Sequence, residues 1–452
     1  MEKVVTRIPP SPTGHLHIGT ARTALYNYLF ARKHNGVFII RSEDTDKARS
    51  IRSFEEEFLE AFAWIGITSD AYTGSEFYRQ SEHSGLYRQY LEQLIASDHA
   101  YISVEESKNE PGKNVAVVRL RNTNRVVTFR DEVRGDISFD TTELGDFVIA
   151  RSLDDALYHF AVVVDDFTMG VTHIIRGDDH ISNTPRQILI QEALGAQRPI
   201  YAHLPLILAS DRSKMSKRHG AIALYEYRDK GYFPEAIINY LALLGWNPGT
   251  EEEFFSLSEL IEAFDLTKIQ KSGAVFDIEK LHWFNREYLK TIPKTAILPT
   301  LIKAIEKKFG SEALGERVTA NLLKLVRERS TILSDITHDI EEGEYDFAFI
   351  APRINTDLIK WKKDTSAKEA LPRLKRVIEL LEEGTDSENP DDIKHILWNY
   401  AEEIGKGEVL WPLRVVLTGK EKSPDPFTVI ATIGIPEAVR RIKNACDTIY
   451  AS

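Results

Sequence analysis

Cysteine is almost absent from this sequence, since Cys446 is the only one among 452 residues. A single cysteine excludes an intrachain disulfide framework and any zinc site built from several cysteines, and it indicates a reducing compartment. We therefore expect neither a disulfide nor a structural zinc.

Long apolar runs are also lacking. No stretch approaches the roughly 18 consecutive apolar residues that suggest a membrane span, and Met1 leads into a predicted strand rather than a signal peptide. A cytoplasmic chain with no membrane partner is the expectation. Hydrophobic residues make up 42% and charged residues 28%, so the chain can bury a large core.

Positive charge is in deficit. The chain has 57 Lys and Arg residues against 69 Asp and Glu residues, which gives a net charge of -12. Such a molecule repels polyanions on average, so any contact with nucleic acid must come from local basic patches. The length predicts about three domains.

The first third of the chain alternates strand and helix signals. Residues 4–8 and 37–40 are predicted as buried strands, and helical spacing of apolar residues runs between them from Ile18 to a stop at Asn35 and Gly36. This βαβ order predicts parallel pairing and a ligand crevice at the carboxyl ends of the strands. Further strands are predicted at residues 160–164, 173–175 and 204–208, with a helix from about Thr184.

The remaining segments complete a predicted α/β fold. Residues 115–120 and 125–129 are rich in β-branched side chains and predict an α+β lobe inserted into the nucleotide-binding domain. From about residue 225 the pattern is helical. The predicted domains are a Rossmann-like catalytic domain of residues 1–87 and 158–222, an inserted lobe of residues 88–157, and helical domains of residues 223–292 and 293–452.

Two short motifs carry candidate chemistry. Residues 10–20 form a glycine-containing loop that runs into a helix N-terminus, which offers N–H groups and a positive dipole end to phosphate. Residues 214–218, Lys-Met-Ser-Lys-Arg, place three cations on a loop and suit a clamp on a triphosphate. Either motif alone is also compatible with an ordinary turn or a solvated basic loop.

In this order, the two motifs resemble the HIGH and KMSKS motifs of class I aminoacyl-tRNA synthetases. The surrounding sequence resembles the bacterial glutamyl-tRNA synthetase family from residue 4 to about residue 288, and again at residues 410–414 and 422–427. The strongest segments are residues 7–14, 41–46, 164–166, 175–180, 182–187 and 239–246. Between about residues 293 and 398 the resemblance rests mainly on helical character.

The resemblance implies a cytoplasmic, monomeric enzyme that uses ATP with Mg²⁺ to activate glutamate and transfers it to tRNA(Glu). It assigns acceptor-stem binding to residues 88–157, stem contact to residues 223–292 and anticodon binding to residues 293–452. His17, Lys214 and Lys217 would be catalytic. The implied ATP-binding residues are Gly14, His15, His17, Gly19, Thr20, Lys214, Met215, Ser216, Lys217 and Arg218. The implied glutamate-binding residues are Arg7, Ser11, Glu43, Tyr158, Arg176 and His180, and the implied anticodon contacts are Arg327 and Arg329.

The chemistry of glutamate agrees with these roles. The amino acid carries two carboxylates and one ammonium, so its pocket needs two cationic groups and one acidic group, which Arg7, Arg176 and Glu43 supply. The α-carboxylate would attack the α-phosphorus of ATP, and the terminal 2'-hydroxyl of tRNA would then accept the glutamyl group. These steps need positioning and charge stabilisation rather than a protein nucleophile.

Several alternatives are weighed against this interpretation. A glutaminyl-tRNA synthetase would end in β-barrels, and the glutamyl-queuosine paralogue would lack an anticodon domain. A catalytically silent tRNA-binding paralogue would not need both ATP motifs. Charging of tRNA(Glu) alone and of tRNA(Gln) as well are both compatible with this sequence. One departure from the family is clear: some members carry a cysteine-ligated zinc near the segment that is Ala-Tyr-Ile-Ser here, at residues 100–103, so no zinc is expected.

Overall fold

The computed structural model describes residues 3–70, 77–106, 111–213, 215, 222–313 and 316–451. The chain divides into two compact units, Met1–Asn285 and Arg286–Ser452. Within the described ranges, no helix is both long enough and apolar enough to cross a membrane.

The described strands all lie in the first unit. In chain order they are β1 (Val5–Ile8), β2 (Val37–Ser42), β3 (Tyr78–Arg79), β4 (Ala100–Glu106), β5 (Asn114–Leu120), β6 (Val126–Asp131), β7 (Gly135–Asp140), β8 (Phe147–Ser152), β9 (Asp155–Ala156), β10 (His173–Gly177), β11 (Ile200–Leu204), β12 (Ile207–Leu208) and β13 (Ala274–Val275).

Helices occur in both units. The helices that begin in the first unit are α1 (Ile18–Lys33), α2 (Arg52–Trp64), α3 (Ser84–Ala96), α4 (Tyr158–Thr168), α5 (Thr184–Ala193), α6 (Leu224–Asp229), α7 (Pro234–Leu243), α8 (Leu257–Ala263) and α9 (Ile278–Thr291). Those of the second unit are α10 (Lys294–Phe309), α11 (Glu316–Arg329), α12 (Leu333–Glu341), α13 (Thr356–Ile359), α14 (Leu371–Glu383), α15 (Pro390–Ile404), α16 (Lys406–Thr418), α17 (Pro426–Ile433) and α18 (Ile435–Ala451).

Parallel strands form the centre of the first unit, as the sequence predicts. β1 pairs with β2, with Val5 opposite Val37, and β2 continues to β3. On the other side of β1, the Thr172 amide donates to the Val5 carbonyl at 3.0 Å, which places β1 beside β10. β1 and β10 therefore end at the same edge, where the carboxyl ends of parallel strands form a ligand crevice.

The inserted segment contributes to this central sheet. β6 and β7 form an antiparallel hairpin, and β6 also pairs with β11, with Asp131 opposite Tyr201. The strand order of this sheet is β10-β11-β6-β7. The other inserted strands form a separate antiparallel sheet in the order β4-β5-β8-β9. Part of the insertion is thus continuous with the nucleotide-binding half.

Two strand predictions are wrong. Residues 160–164 belong to helix α4, because this run of apolar residues is buried on all sides between α5 and β8 and has no single-face periodicity. Residues 204–208 are not one strand: β11 ends at Leu204, Pro205 follows it, and the short β12 pairs with β13 instead. Proline cannot donate to a strand ladder, which explains the interruption.

The second unit is helical wherever the structure describes it. α14 packs against α18, and α16 packs against α15, α17 and α18. Its buried side chains are mainly aliphatic, and Arg441 donates to the carbonyls of Phe347 and Leu417 at 2.8 and 3.0 Å. The described chain thus matches the predicted order of an α/β part followed by a helical part.

Candidate active site

The N-terminus of α1 opens directly from the loop after β1. His17 is the N-cap residue, and its Nδ1 accepts from the Thr20 amide at 3.4 Å. A Cβ atom on Gly19 would lie 3.1 Å from the His17 ring, so glycine allows the ring to rest against the helix start. The first turn of a helix has N–H groups without helical partners, and these favour an anion.

The segments around the second motif lie against this loop. The Met215 amide donates to the Ile207 carbonyl at 3.1 Å, and Ala223 forms a β-bridge with His17. The Leu224 amide donates to the Leu16 carbonyl at 2.8 Å. The motif residues Lys214, Ser216, Lys217 and Arg218 lie outside the described residues. Met215 and Ala223 therefore line the same cleft as the first motif.

A cleft of about 920 Å³ opens at this edge of the sheet. It is lined by eleven of the residues predicted for ATP or glutamate binding: Arg7, Ser11, His15, His17, Gly19, Thr20, Glu43, Tyr158, Arg176, His180 and Met215. Gly14 is exposed in the loop that precedes His15 and does not line the cleft. His15 forms a 2.6 Å contact from its Nδ1 to Glu57 and packs against the rings of Phe54 and Tyr225.

Four buried charged groups form a network on one side of the cleft. The Nε and Nη2 atoms of Arg7 donate to the two carboxylate oxygens of Asp166 at 3.1 and 3.3 Å. Arg41 donates to Asp166 at 2.5 Å and to Glu43 at 3.1 Å. Burial opposes ionisation of Asp166, but Arg41 and Arg7 outweigh it and lower the pKa of this carboxyl below its usual value. Asp166 thus balances much of the positive charge of Arg7 and Arg41.

Glu43 lies at the end of β2 and is 7% exposed. Burial raises the pKa of Glu43 to about 7, although Arg41 lies beside it and favours the charged form. A carboxyl in this condition can exchange its proton near neutral pH. A cation that enters the cleft, such as an ammonium group, would favour the ionised form of this carboxyl.

Arg176, on the neighbouring strand β10, has a different environment. It donates to Gln187 at 2.7 Å, to Thr184 at 2.8 Å and to His203 at 3.1 Å, and all three partners are uncharged acceptors. Within the described structure it forms no ion pair. Burial, reinforced by Arg176, also lowers the pKa of His180 to about 4, so this neighbour is neutral at pH 7. Arg176 therefore supplies positive charge that the protein leaves unbalanced.

Sequence reasoning missed four residues that support the site. Arg41, Asp166 and His203 hold predicted site residues in place, and Arg22 lines the cleft, where it donates to the Leu244 carbonyl at 3.1 Å. A signal was present for Arg41 and Asp166, because both lie in segments that carry the family resemblance. Because residues 160–164 were predicted as a strand, the sequence did not indicate that the side chain of Asp166 contacts Arg7 of β1.

The two anticodon candidates differ in their surroundings. Arg329 is exposed at the end of α11, whereas Arg327 is half-buried and donates through Nη2 to the Ile292 carbonyl. One of the two is therefore already engaged in holding α11 to the chain that follows α9. Their role in tRNA binding stays a prediction.

The parallel sheet, its cleft and the two motifs together define a class I tRNA synthetase. A family profile described as "tRNA synthetases class I (E and Q), catalytic domain" matches residues 3–110 and 102–283, and one described as "Anticodon binding domain" matches residues 278–446.

More closely, the chain belongs to the glutamate–tRNA ligase family. It is 42% identical to the glutamate–tRNA ligase of Carboxydothermus hydrogenoformans, with 98% of this chain and 99% of the relative aligned. Identity to the Aquifex aeolicus glutamate–tRNA ligase is 40%, over 99% of this chain and 100% of the relative. A solved glutamate–tRNA ligase from Elizabethkingia meningosepticum, in complex with its amino acid, superposes with a TM-score of 0.85 at 32% identity, covering 99% and 100% of the two chains.

Proposed function

We propose that this chain activates L-glutamate with ATP and transfers the glutamyl group to the 3'-terminal adenosine of tRNA(Glu), releasing AMP and pyrophosphate. The observation that carries the proposal is the charge pattern of the cleft. Arg176 offers unbalanced positive charge, Arg7 is combined with the ionisable Glu43, and the N-terminus of α1 opens into the same cleft.

This pattern fits a dicarboxylic amino acid. We assign the α-carboxylate to Arg176, the γ-carboxylate to Arg7 with Tyr158, and the ammonium to Glu43, with Ser11 and His180 completing the wall. The Nη1 group of Arg7 has no hydrogen-bond partner among the described residues and is the group available to the ligand. Charge-assisted hydrogen bonds to these groups would fix glutamate with its α-carboxylate toward the nucleotide.

ATP would lie along the first motif. His17, Gly19 and Thr20 bring the N-terminus of α1 to the phosphates, and His15 and Met215 line the same cleft. We assign Lys214 and Lys217, with Ser216 and Arg218, to the triphosphate by their place in the second motif. Mg²⁺ enters as part of the substrate, because ATP carries the ion on its phosphate oxygens. The α-carboxylate then attacks the α-phosphorus, and the lysines stabilise the departing pyrophosphate.

We further assign the inserted residues 88–157 to the acceptor stem, residues 223–292 to stem contact and residues 293–452 to the anticodon, with Arg327 and Arg329 as contact candidates. A cytoplasmic monomer is the state we propose for this enzyme. A glutaminyl-tRNA synthetase is less well supported, because a neutral side chain would not need the cation Arg7, and the described residues after 275 contain helices but no strand.

Pyrophosphate exchange, measured with glutamate, glutamine and aspartate and with and without tRNA, tests the proposal. We expect exchange that depends on glutamate, and charging of tRNA(Glu). A silent tRNA-binding paralogue would give no exchange with any amino acid. Exchange that depends on glutamine in preference to glutamate would overturn the assignment of Arg7 to a carboxylate.

A further inference from the structure

A histidine lies directly behind Arg176 and does not touch the cleft. His203 is in β11, opposite Arg176 in the parallel pairing with β10, and its side chain is fully buried. Arg176 Nε donates to His203 Nε2 at 3.1 Å. A guanidinium nitrogen carries a hydrogen and has no acceptor capacity, so His203 Nε2 must present its lone pair. The proton of the neutral ring is therefore on Nδ1.

That proton has a definite acceptor. His203 Nδ1 lies 2.6 Å from Asp131 Oδ2, and the His203 amide donates to the same carboxylate at 3.0 Å. Asp131 also accepts from the Val133 and Arg134 amides of the hairpin turn at 3.0 and 2.8 Å. Burial opposes ionisation of Asp131, but hydrogen bonds from the side chain of His203 and from the Arg134 amide lower its pKa below the usual value. A carboxylate anchored at β6 thus fixes the tautomer of His203.

We infer that His203 and Asp131 are positioning residues for Arg176, orienting its guanidinium toward the carboxylate of the substrate while leaving its charge unbalanced. This inference rests on the proposed function. It also makes the inserted hairpin β6–β7 part of the amino acid site, since Asp131 ends β6.

The contrast with Arg7 explains why an imidazole is placed between Arg176 and the acid. Arg7 pairs directly with Asp166, so much of its charge is balanced by the protein. A direct Arg176–Asp131 pair would have the same effect and would weaken attraction of a ligand carboxylate. A neutral imidazole accepts one hydrogen bond, which restricts the rotation of a long side chain, and it brings no negative charge into contact.

Two amide substitutions at His203 separate the two contacts. An asparagine amide lies near the position of Nδ1, so His203→Asn retains a donor for Asp131 but loses the acceptor for Arg176. A glutamine amide reaches the position of Nε2, so His203→Gln retains the acceptor for Arg176 but loses the contact with Asp131. The two variants therefore introduce the same functional group, an amide, and each removes the contact that the other retains.

We expect His203→Asn to raise the KM for glutamate by roughly tenfold or more, with the KM for ATP changed less than about twofold, because the acceptor for Arg176 is lost together with the 3.3 Å contact of the same nitrogen with the Thr184 hydroxyl. In His203→Gln the KM for glutamate should rise less than about threefold, although this variant should lose more thermal stability than His203→Asn. Exchange is measured with tRNA present. An unchanged KM in His203→Asn, or an equal rise in both variants, would overturn the inference.

The tautomer provides a second measurement on the unaltered protein. Nitrogen NMR of histidine-labelled chain, with His203→Asn used to assign the signal, should show His203 protonated on Nδ1 alone. A proton on Nε2 would overturn the inference even if His203→Gln fails to fold. If the wild-type chain shows no glutamate-dependent exchange, the proposed function fails, whereas this measurement still decides the arrangement around His203.

Discussion

Arg7 and Arg176 are both buried arginines at the cleft, and their partners predict different roles. Arg7→Gln should lower kcat/KM for glutamate activation by at least roughly 10²-fold. It should also narrow the preference for glutamate over glutamine, because the neutral side chain of glutamine forms no ion pair with Arg7. Arg176→Gln should damage both substrates about equally, since both carry an α-carboxylate. kcat/KM for both amino acids in both variants is the measurement.

Thermal unfolding is the control for these variants. Asp166 keeps Arg41 as a partner when Arg7 is replaced, so the fold should persist. A buried carboxylate that loses one of two cations is still destabilised, and the melting temperature shows by how much. If Arg7→Gln folds but leaves the ratio of glutamate to glutamine activation untouched, its assignment to the γ-carboxylate is wrong.

Glu43 makes the site sensitive to pH. Its pKa is raised to about 7, so the protonated form dominates in the free enzyme below that pH and only the carboxylate can pair with an ammonium group. kcat/KM for glutamate should therefore rise about tenfold per pH unit below pH 7 and level off above it. In Glu43→Gln, kcat/KM for glutamate should be low at every pH and should lack the rise with pH below pH 7. A wild-type profile that is flat between about pH 6 and about pH 8, roughly one unit either side of 7, contradicts the assignment.

At the scale of single residues, the sequence predicts those that belong to recognisable motifs. Arg7, Glu43 and Arg176 were predicted and do line one cleft. Asp166 was not, because its role depends on a hydrogen bond to a residue 159 positions earlier in the chain. His203 was missed for the same reason, since nothing in its neighbours in sequence indicates that Arg176 lies beside it in the next strand.

At the scale of elements, we assign the cations of the second motif, a predicted loop, to charge that develops on the phosphates during the reaction. Lys217→Ala should lower the activation rate by at least roughly 10²-fold and leave tRNA affinity nearly unchanged, because the interaction is stronger in the transition state than in the ground state. Single-turnover activation and tRNA binding are the measurements.

Lys230→Ala is a matched control for this loop variant. Lys230 is an exposed lysine at the end of α6, so its removal changes the net charge by the same amount without touching the cleft. It should behave as wild type in both assays. An equal loss of tRNA binding and activation in Lys217→Ala would show that the loop acts in tRNA binding instead.

Elements were predicted well where the sequence marks their ends. α1 lies between a proline-containing loop and the stop at Asn35 and Gly36, β2 follows that stop, and both lie where they were expected. α4 is buried almost all round, so its five apolar residues contain no period that separates a helix from a central strand. Tertiary packing determines that these residues form a helix, and only the structure reveals that Asp165 and Asp166 of α4 are buried.

At the scale of the whole molecule, the boundary between the two units lies within α9. A chain ending after Tyr288 retains Phe284, which is buried, and Asn285, which accepts from the Phe233 amide at 2.8 Å. This truncated chain should keep a folded nucleotide site and lose most tRNA charging, because the anticodon candidates are removed. ATP binding and charging are measured side by side.

A shorter truncation provides the control. A chain ending after Leu281 also loses Phe284 and Asn285, so α7 should lose a packing partner and the first unit should unfold at lower temperature. Charging by the Tyr288 truncation at wild-type efficiency would refute the assignment of anticodon binding to residues 293–452.

The pairing of β1 with neighbours far along the chain has a consequence for synthesis on the ribosome. β1 pairs with β2 within the first forty or so residues, but its other neighbour is reached only at Thr172. β10 pairs in turn with β11, and β11 pairs with Asp131 of the hairpin. Contacts between such distant segments form slowly, and until then a strand edge stays unpaired. The nascent chain must therefore lengthen past Gly177 before its first strand is enclosed, and past Leu204 before β10 is enclosed in turn. The cleft is thus assembled late, after nearly half of the polypeptide has been made.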